Sequence, residues 1–317
     1  MQQSPSDRLT FRIRGVPLDW NKSRLRICLE QHDASSYPSI KSFALEVDRC
    51  TYSATVVFKN LPLLTQGPKP WRIPQDEPPK TQPPSSNHPS IDNDFLGITT
   101  LYAPPSIVAL GDISGHPLES YEEVASKHLW LRDILPSQLV DEESHQPMAR
   151  VMTYGYRPIL ERNDGPVTFQ DLGKALLKSL STLGNSSKTK PIILIGHGIG
   201  GLIVKQTNMS LFRAIHGVVF FGVPHDGMDT ASLQRVSRDG PNQWFVESLR
   251  QGGRELLRQI HSEFVQALDQ NKEVEIFSFY ETLESSISPK VKTKHPSATC
   301  RSVLICLRMQ VLEQESL

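Results

Sequence analysis

The sequence predicts an α/β protein, a mostly parallel sheet with helices on both faces, preceded by a small module of the α+β type. Three observations carry that expectation. After residue 95, segments with strand character alternate with segments of helical periodicity, the pattern that sets parallel strands side by side and puts their crossover helices on the two faces. Within that alternation, the apolar run Ile192-Ile193-Leu194-Ile195 ends in Gly196-His197-Gly198-Ile199-Gly200-Gly201-Leu202, a strand that enters a glycine-rich turn and leaves it as a helix. Ahead of both, nine prolines between Leu61 and Asp94 separate the N-terminal segment from the rest.

Taken in order, Leu9–Val16 alternates as a strand, and Asp19 opens a helix with Leu25, Cys28 and Leu29 on one face. Ile40–Val47 and Ala54–Phe58 read as two further strands. Residues 1–65 thus form a βαββ leader, ferredoxin-like and similar to the front of an RNA-recognition fold. Such a fold stacks bases on aromatics of its two central strands, and Arg12, Ser53 and Thr55 stand at those places, so a packing or protein-contact module is expected and no nucleic acid. Residues 66–94, proline with polar spacers, read as a semi-extended linker.

Residues 95–317 make the main domain. Phe95–Tyr102 and Ile107–Leu110 read as strands, a helical stretch runs through Trp130 to Leu135, and Arg150–Tyr156 is a strand. Thr168, with Asp171 three residues on, caps a helix that sets Phe169, Leu172, Leu176 and Leu180 on one side and stops at Gly184. The glycine-rich turn leads into a helix over Leu202–Met209, then a strand over His216–Phe221. Leu257, Ile260, Phe264 and Leu268 mark a late helix, and Val274–Tyr280 a last strand.

Composition narrows the function classes. Lys plus Arg number 34 and Asp plus Glu number 34, so no global field draws the chain to a polyanion. The four cysteines, Cys28, Cys50, Cys300 and Cys306, include no CxxC pair, so neither a metal nor a disulfide framework is expected. The N-terminus lacks an apolar signal core, and no apolar run approaches the ~20 residues that span a bilayer. The expectation is a cytoplasmic protein without a transmembrane segment.

The chemistry is concentrated at residues 196–201. An α/β-hydrolase carries GxSxG on the sharp turn from a strand into a helix, so that a serine hydroxyl is thrust toward substrate. Here the frame reads Gly196-His197-Gly198-Ile199-Gly200, with Gly198 in the place of the nucleophile. Glycine relieves the strain of the turn and removes the reactive group. Two other readings fit the same residues. Gly196-x-Gly198-x-x-Gly201 has the spacing of a dinucleotide-binding loop, although several strands precede it and the next acid, Asp226, lies beyond a Gly-Val-Pro-His turn. Alternatively, the glycines serve close packing of helix on strand.

Further segments carry a resemblance. Asp112-Ile113-Ser114-Gly115-His116 resembles GLGGH, Leu129 to Pro136 resembles WLRDxLP, and Ala149 to Tyr156 resembles ARIMxYGY. Residues 196–205 resemble GHSLGGLVVK, Phe220 to Gly227 resembles FFGxPHxG, Phe279 to Thr282 resembles FYET, and Ser297-Ala298-Thr299 a later SAT. In this order they resemble the fungal members of the lipase-like serine-esterase group, kin of the serine-active-site-containing proteins. The α/β-hydrolase domain of that group heads NACHT, ankyrin or TPR receptor-like proteins.

The resemblance implies an oxyanion site made by the backbone N–H groups of Ile113 and Ile199, with His116 and His197 beside it. Asp112, where the group has glycine, sets a carboxylate at the mouth of that site, where it repels a developing anion. Glu281 is the candidate acid by chain order. The group's histidine lies beyond SAT, where this chain continues Cys300-Arg301-Ser302 to Leu317 without one, and His295 does not match its position. The implied protein is a hydrolase-fold domain lacking two triad members and altered or truncated at its C-terminus. It works without a cofactor as a catalytically impaired binding or signalling domain for an acyl or lipid-like ligand or a protein partner. The alternatives are a regulatory or oligomerisation module of an NLR-like protein and a dinucleotide-binding protein. The resemblance also implies peripheral association with the mitochondrion or endoplasmic reticulum as an alternative location.

Overall fold

The computed structural model describes residues 10–74, 88–102, 106–112, 116–123, 126, 128–141, 144–145, 148–157, 167–184, 191–207, 214–228, 230, 243–250, 254–269 and 274–279. The chain packs as two compact units, one of residues 1–105 and 124–153, the other of residues 106–123 and 154–317.

The first unit opens with β1 (Thr10–Val16), α1 (Lys22–His32), β2 (Pro38–Leu45) and β3 (Tyr52–Phe58), the expected βαββ order. Helix α1 is capped by Asn21 rather than Asp19: the Asn21 Oδ1 accepts from the Arg24 N–H at 2.8 Å, while Asp19 takes the Arg24 guanidinium at 3.2 Å. Asn21 stands immediately before the first helical residue, where its oxygen reaches the third amide. Phe11, Ile13, Leu25, Leu29, Val56 and Phe58 fill the core between this helix and the sheet.

The stretch expected as a linker contributes to the same sheet at both ends. β4 (Trp71–Arg72) and β5 (Ser90–Asp92) extend it in the order β2-β3-β1-β5-β4, because β1 has a second edge to pair and Ile73 and Ile91 are apolar enough to join the core. The opposite face of the sheet is polar and closed. Arg12, only 3% exposed, forks onto both Asp92 carboxylate oxygens at 2.9 and 3.0 Å and donates to Thr99 at 2.8 Å, while Ser42 and Thr55 bond each other at 2.7 Å. Ser53 donates to the Thr100 carbonyl on β6 (Gly97–Tyr102) at 3.2 Å, so the positions where a base-stacking platform stands in RNA-recognition folds are buried here. By its contacts β6 groups with this unit, while its hydrogen-bonded ladder is that of the second sheet.

The second unit contains β7 (Ser106–Leu110), β9 (Ile192–His197), β10 (Ile215–Phe221) and β11 (Glu275–Phe279), all parallel, side by side in the order β11-β10-β9-β7. Short helices α2 (Trp130–Asp133) and α3 (Leu135–Gln138) precede β8 (Arg150–Gly155), which starts in the first unit and ends in the second. β7 and β9 are direct neighbours, with Leu110 opposite Gly196, although the chain builds β8 and α4 (Phe169–Gly184) between them. In open α/β sheets, such a jump in strand order marks the strand C-termini at which ligands bind.

Helix α4 begins with the expected reciprocal cap: the Thr168 Oγ1 accepts from the Asp171 N–H at 3.0 Å and the Asp171 carboxylate accepts from the Thr168 N–H at 3.1 Å. Its buried stripe is Phe169, Leu172, Leu176 and Leu180. α5 (Ile199–Gln206), one residue from the end of β9, packs between α4 and α7 (Arg254–Asp269), while α6 (Gln243–Ser248) adds Phe245 against Phe169.

Candidate functional site

Three strand ends converge here. Leaving β9, the chain turns at Gly198 with φ 52° and ψ −125°, and the next residue is already helical. A side chain is strained in that region, which is why a sharp strand-to-helix turn either stores strain in a functional residue or uses glycine. The surrounding glycines are there for space. A Cβ on Gly196 falls 2.5 Å from the Gly201 Cα, and one on Gly200 falls 2.8 Å from the Leu110 carbonyl, so helix and strands meet backbone to backbone. The close-packing reading of the glycines therefore holds alongside that of the turn.

Gly198 differs from its neighbours in what fills its space. A Cβ built on it lies 2.5 Å from the Asp112 Cγ and closer still to Oδ1. Asp112, two residues past the end of β7, reaches across the turn, and its Oδ1 accepts from the Ile199 N–H at 2.9 Å. That amide is one of the two expected oxyanion donors. The carboxylate thus fills the space that a side chain at position 198 would take and accepts the Ile199 hydrogen bond at once. Sequence reading expected this carboxylate to repel a developing anion; in the structure it accepts from the Ile199 N–H.

Asp112 is held from several sides. Its N–H donates to the Ser120 Oγ at 2.9 Å, and its carbonyl accepts from the Tyr156 hydroxyl at 2.6 Å, which also reaches the Gly111 carbonyl at 2.9 Å. The Tyr121 hydroxyl donates to the Leu110 carbonyl at 2.6 Å, tying the end of β7. Burial first, and the nearby Asp112 charge second, push both phenols above their ordinary range, so they remain protonated donors. Neither tyrosine nor Ser120 was singled out from sequence. Tyr156 sits in the Tyr154-Gly155-Tyr156 segment quoted there, the one available signal.

The remaining candidates divide. His197 sits at the end of β9, edge-on to Tyr121 with centroids 6.2 Å apart, and its buried Nδ1 has no partner among the described residues. His116 accepts from the Leu118 N–H through Nδ1 at 3.4 Å, within its own loop. Ile113, Glu281 and His295 lie outside the described residues. The turn's amides are already engaged: Gly198 N–H donates to the Phe221 carbonyl at 2.9 Å and Ile199 N–H to Asp112. No group of His, Cys, Asp and Glu among the described residues forms a metal cage, and none of the described helices is long and apolar enough to cross a membrane.

No protein-family model matches this chain, and no curated protein matches it. Among solved structures it is similar to the mature form of the Bacillus licheniformis lipase BlEst2, at 15% identity and a TM-score of 0.36, over 56% of this chain and 65% of that one. It is similar to the phospholipase PlaB from Legionella pneumophila at 14% identity and a TM-score of 0.38, over 55% of this chain and 38% of that one. A Paleococcus ferrophilus monoacylglycerol lipase matches at 14% identity and a TM-score of 0.33, over 58% and 88%. The chain spans less than two thirds of the first two of these proteins.

Proposed function

We propose that this chain is an α/β-hydrolase-fold protein of the lipase and esterase kind whose elbow has been converted from an acyl-transfer centre into a closed, non-catalytic one, leaving a binding or signalling domain. The observation that carries the reading is the Asp112 carboxylate, lodged where a nucleophile's side chain stands and bonded to the Ile199 amide.

Serine-hydrolase chemistry needs a hydroxyl activated by a base, and free N–H donors for the oxyanion, each donor worth roughly 3–4 kcal/mol in the transition state. Gly198 supplies no hydroxyl, and the Ile199 N–H is already satisfied by a full negative charge. An incoming carbonyl would have to displace that carboxylate and develop its own charge beside it. Both effects oppose the reaction. The same engagement of the Gly198 and Ile199 amides weighs against a diphosphate at this turn, since a dinucleotide loop needs them free. A ligand of lipid-like or protein character at the strand C-termini, and a cytoplasmic or membrane-peripheral setting, belong to the same proposal.

Incubation with short-chain p-nitrophenyl esters and with a fluorophosphonate probe tests the proposal. The expected outcome is hydrolysis at the buffer rate and no covalent adduct. Turnover well above buffer, or stoichiometric labelling, overturns it.

A further inference from the structure

A second site lies away from the elbow, in a cavity of about 490 Å³ between α5, α7 and the strands β10 and β11. Lys205, only 5% exposed, lines it from the last turn of α5. Its Nζ bonds the His261 Nδ1 at 3.0 Å and faces the rings of Phe220 and Phe264 at 5.8 and 5.6 Å. No carboxylate among the described residues lies within ion-pair distance of it. A buried ammonium costs several kcal/mol unless an anion meets it. Asp226 lines the same cavity and acts on Lys205 only through longer-range attraction, while Arg258, which also lines it, is exposed to solvent. Lys205 is thus the buried cation of the cavity, with no carboxylate in contact among the described residues. Leu257, Val265, Leu268 and Ile276 add apolar wall, with Ser262 and Ser278 among them.

We propose that this cavity binds a monoanion with an aliphatic tail, a medium-chain carboxylate whose head group pairs with Lys205 and whose chain lies along α7. The volume falls within the usual range for a small amphipathic ligand, roughly 300–1,000 Å³. One buried cation beside apolar walls suits a carboxylate head group that carries an aliphatic tail. Burial lowers the Lys205 ammonium to about 8, and an anion seated beside it would raise it again. His225, whose Nδ1 is buried without a partner among the described residues, and His261 face the same lysine; both are held neutral by burial and by its charge.

The test titrates the full chain with decanoate. Its melting temperature rises with the logarithm of decanoate concentration above Kd, and heat of binding saturates in calorimetric titration, whereas decanol, with the tail and no charge, and acetate, with the charge and no tail, leave the melting temperature unchanged. Lys205→Met and Leu268→Trp each weaken decanoate at least ~10-fold, and Asp112→Asn at the elbow leaves the affinity unchanged, which separates this site from that one. In the unaltered protein, decanoate protects Lys205 from reductive methylation at pH 8, read by peptide mass spectrometry, so a variant that fails to fold does not decide the matter. The proposal is overturned if decanol stabilises as well as decanoate, or if no saturable binding occurs. Retained affinity in Lys205→Met, lost affinity in Asp112→Asn, or methylation of Lys205 at an unchanged rate overturns it equally.

Discussion

Replacing Gly198 by alanine pushes one methyl group into the space held by the Asp112 carboxylate, and the size of the penalty tests whether the two positions interlock. Two costs add. Holding a non-glycine at φ 52° costs about 1–3 kcal/mol. Displacing the carboxylate, whose Cγ lies 2.5 Å from the new Cβ, strips the Ile199 N–H of its acceptor, another ~1–3 kcal/mol for a shielded donor left unpaired. Gly198→Ala alone should therefore destabilise the protein by about 2–6 kcal/mol. In an Asp112→Gly background the obstruction and the bond are both gone, only the backbone term remains, and the same substitution should cost about 1–3 kcal/mol. Urea unfolding of the four proteins of this cycle, followed by circular dichroism, gives a coupling of about 1–3 kcal/mol. Additivity within about 0.5 kcal/mol would show that the carboxylate and the turn do not compete for space, and the interlock would fall.

Three further outcomes follow from particular contacts. His225 has its folded pKa depressed to about 3, by burial first and by Lys205 and His261 after it, against an ordinary value of 6.5. The unfolded chain then takes up a proton below pH 6.5 that the folded one refuses, so stability falls on acidification, by about 2 kcal/mol at pH 5, and His225→Gln should flatten that slope in pH-dependent urea titrations. Asp92→Asn removes the charge that Arg12 forks onto in the first unit; leaving a buried guanidinium uncompensated should cost about 3–5 kcal/mol, and a loss under 1 kcal/mol in calorimetry would contradict the buried pair. Thr168→Ala deletes half of the reciprocal cap on α4 and should cost about 1 kcal/mol in the same urea assay.

Long, periodic elements were legible in the sequence. The α4 stripe of Phe169, Leu172, Leu176 and Leu180, its Thr168 cap and the strand before the glycine turn stand where pattern and capping chemistry put them. β4 and β5 were not legible, because strands of two and three residues show no alternation and prolines flank them; their pairing is decided by the free edge of β1, which sequence does not display. Helix α6, six residues long, is too short for a period of 3.6 to declare itself. At the candidate site, the glycine at position 198 and the carboxylate of Asp112 were both visible in the sequence. Its destination was not, since a side chain that crosses from one strand end to another depends on the pairing of β7 with β9. Lys205 hid for a related reason: a lysine closing an apolar helix reads as the helix's polar end until α7 covers it.

The bond from the Ile199 N–H to Asp112, on which the proposed function rests, is measured most directly by hydrogen exchange at that amide, resolved by NMR in the unaltered protein and in Asp112→Gly. A charge-assisted bond of this kind is worth about 1.5–3 kcal/mol, so the amide should be protected in the first protein and exchange at least ~10-fold faster in the second. Equal exchange in the two proteins would mean that the carboxylate is not its acceptor and that the turn stands open.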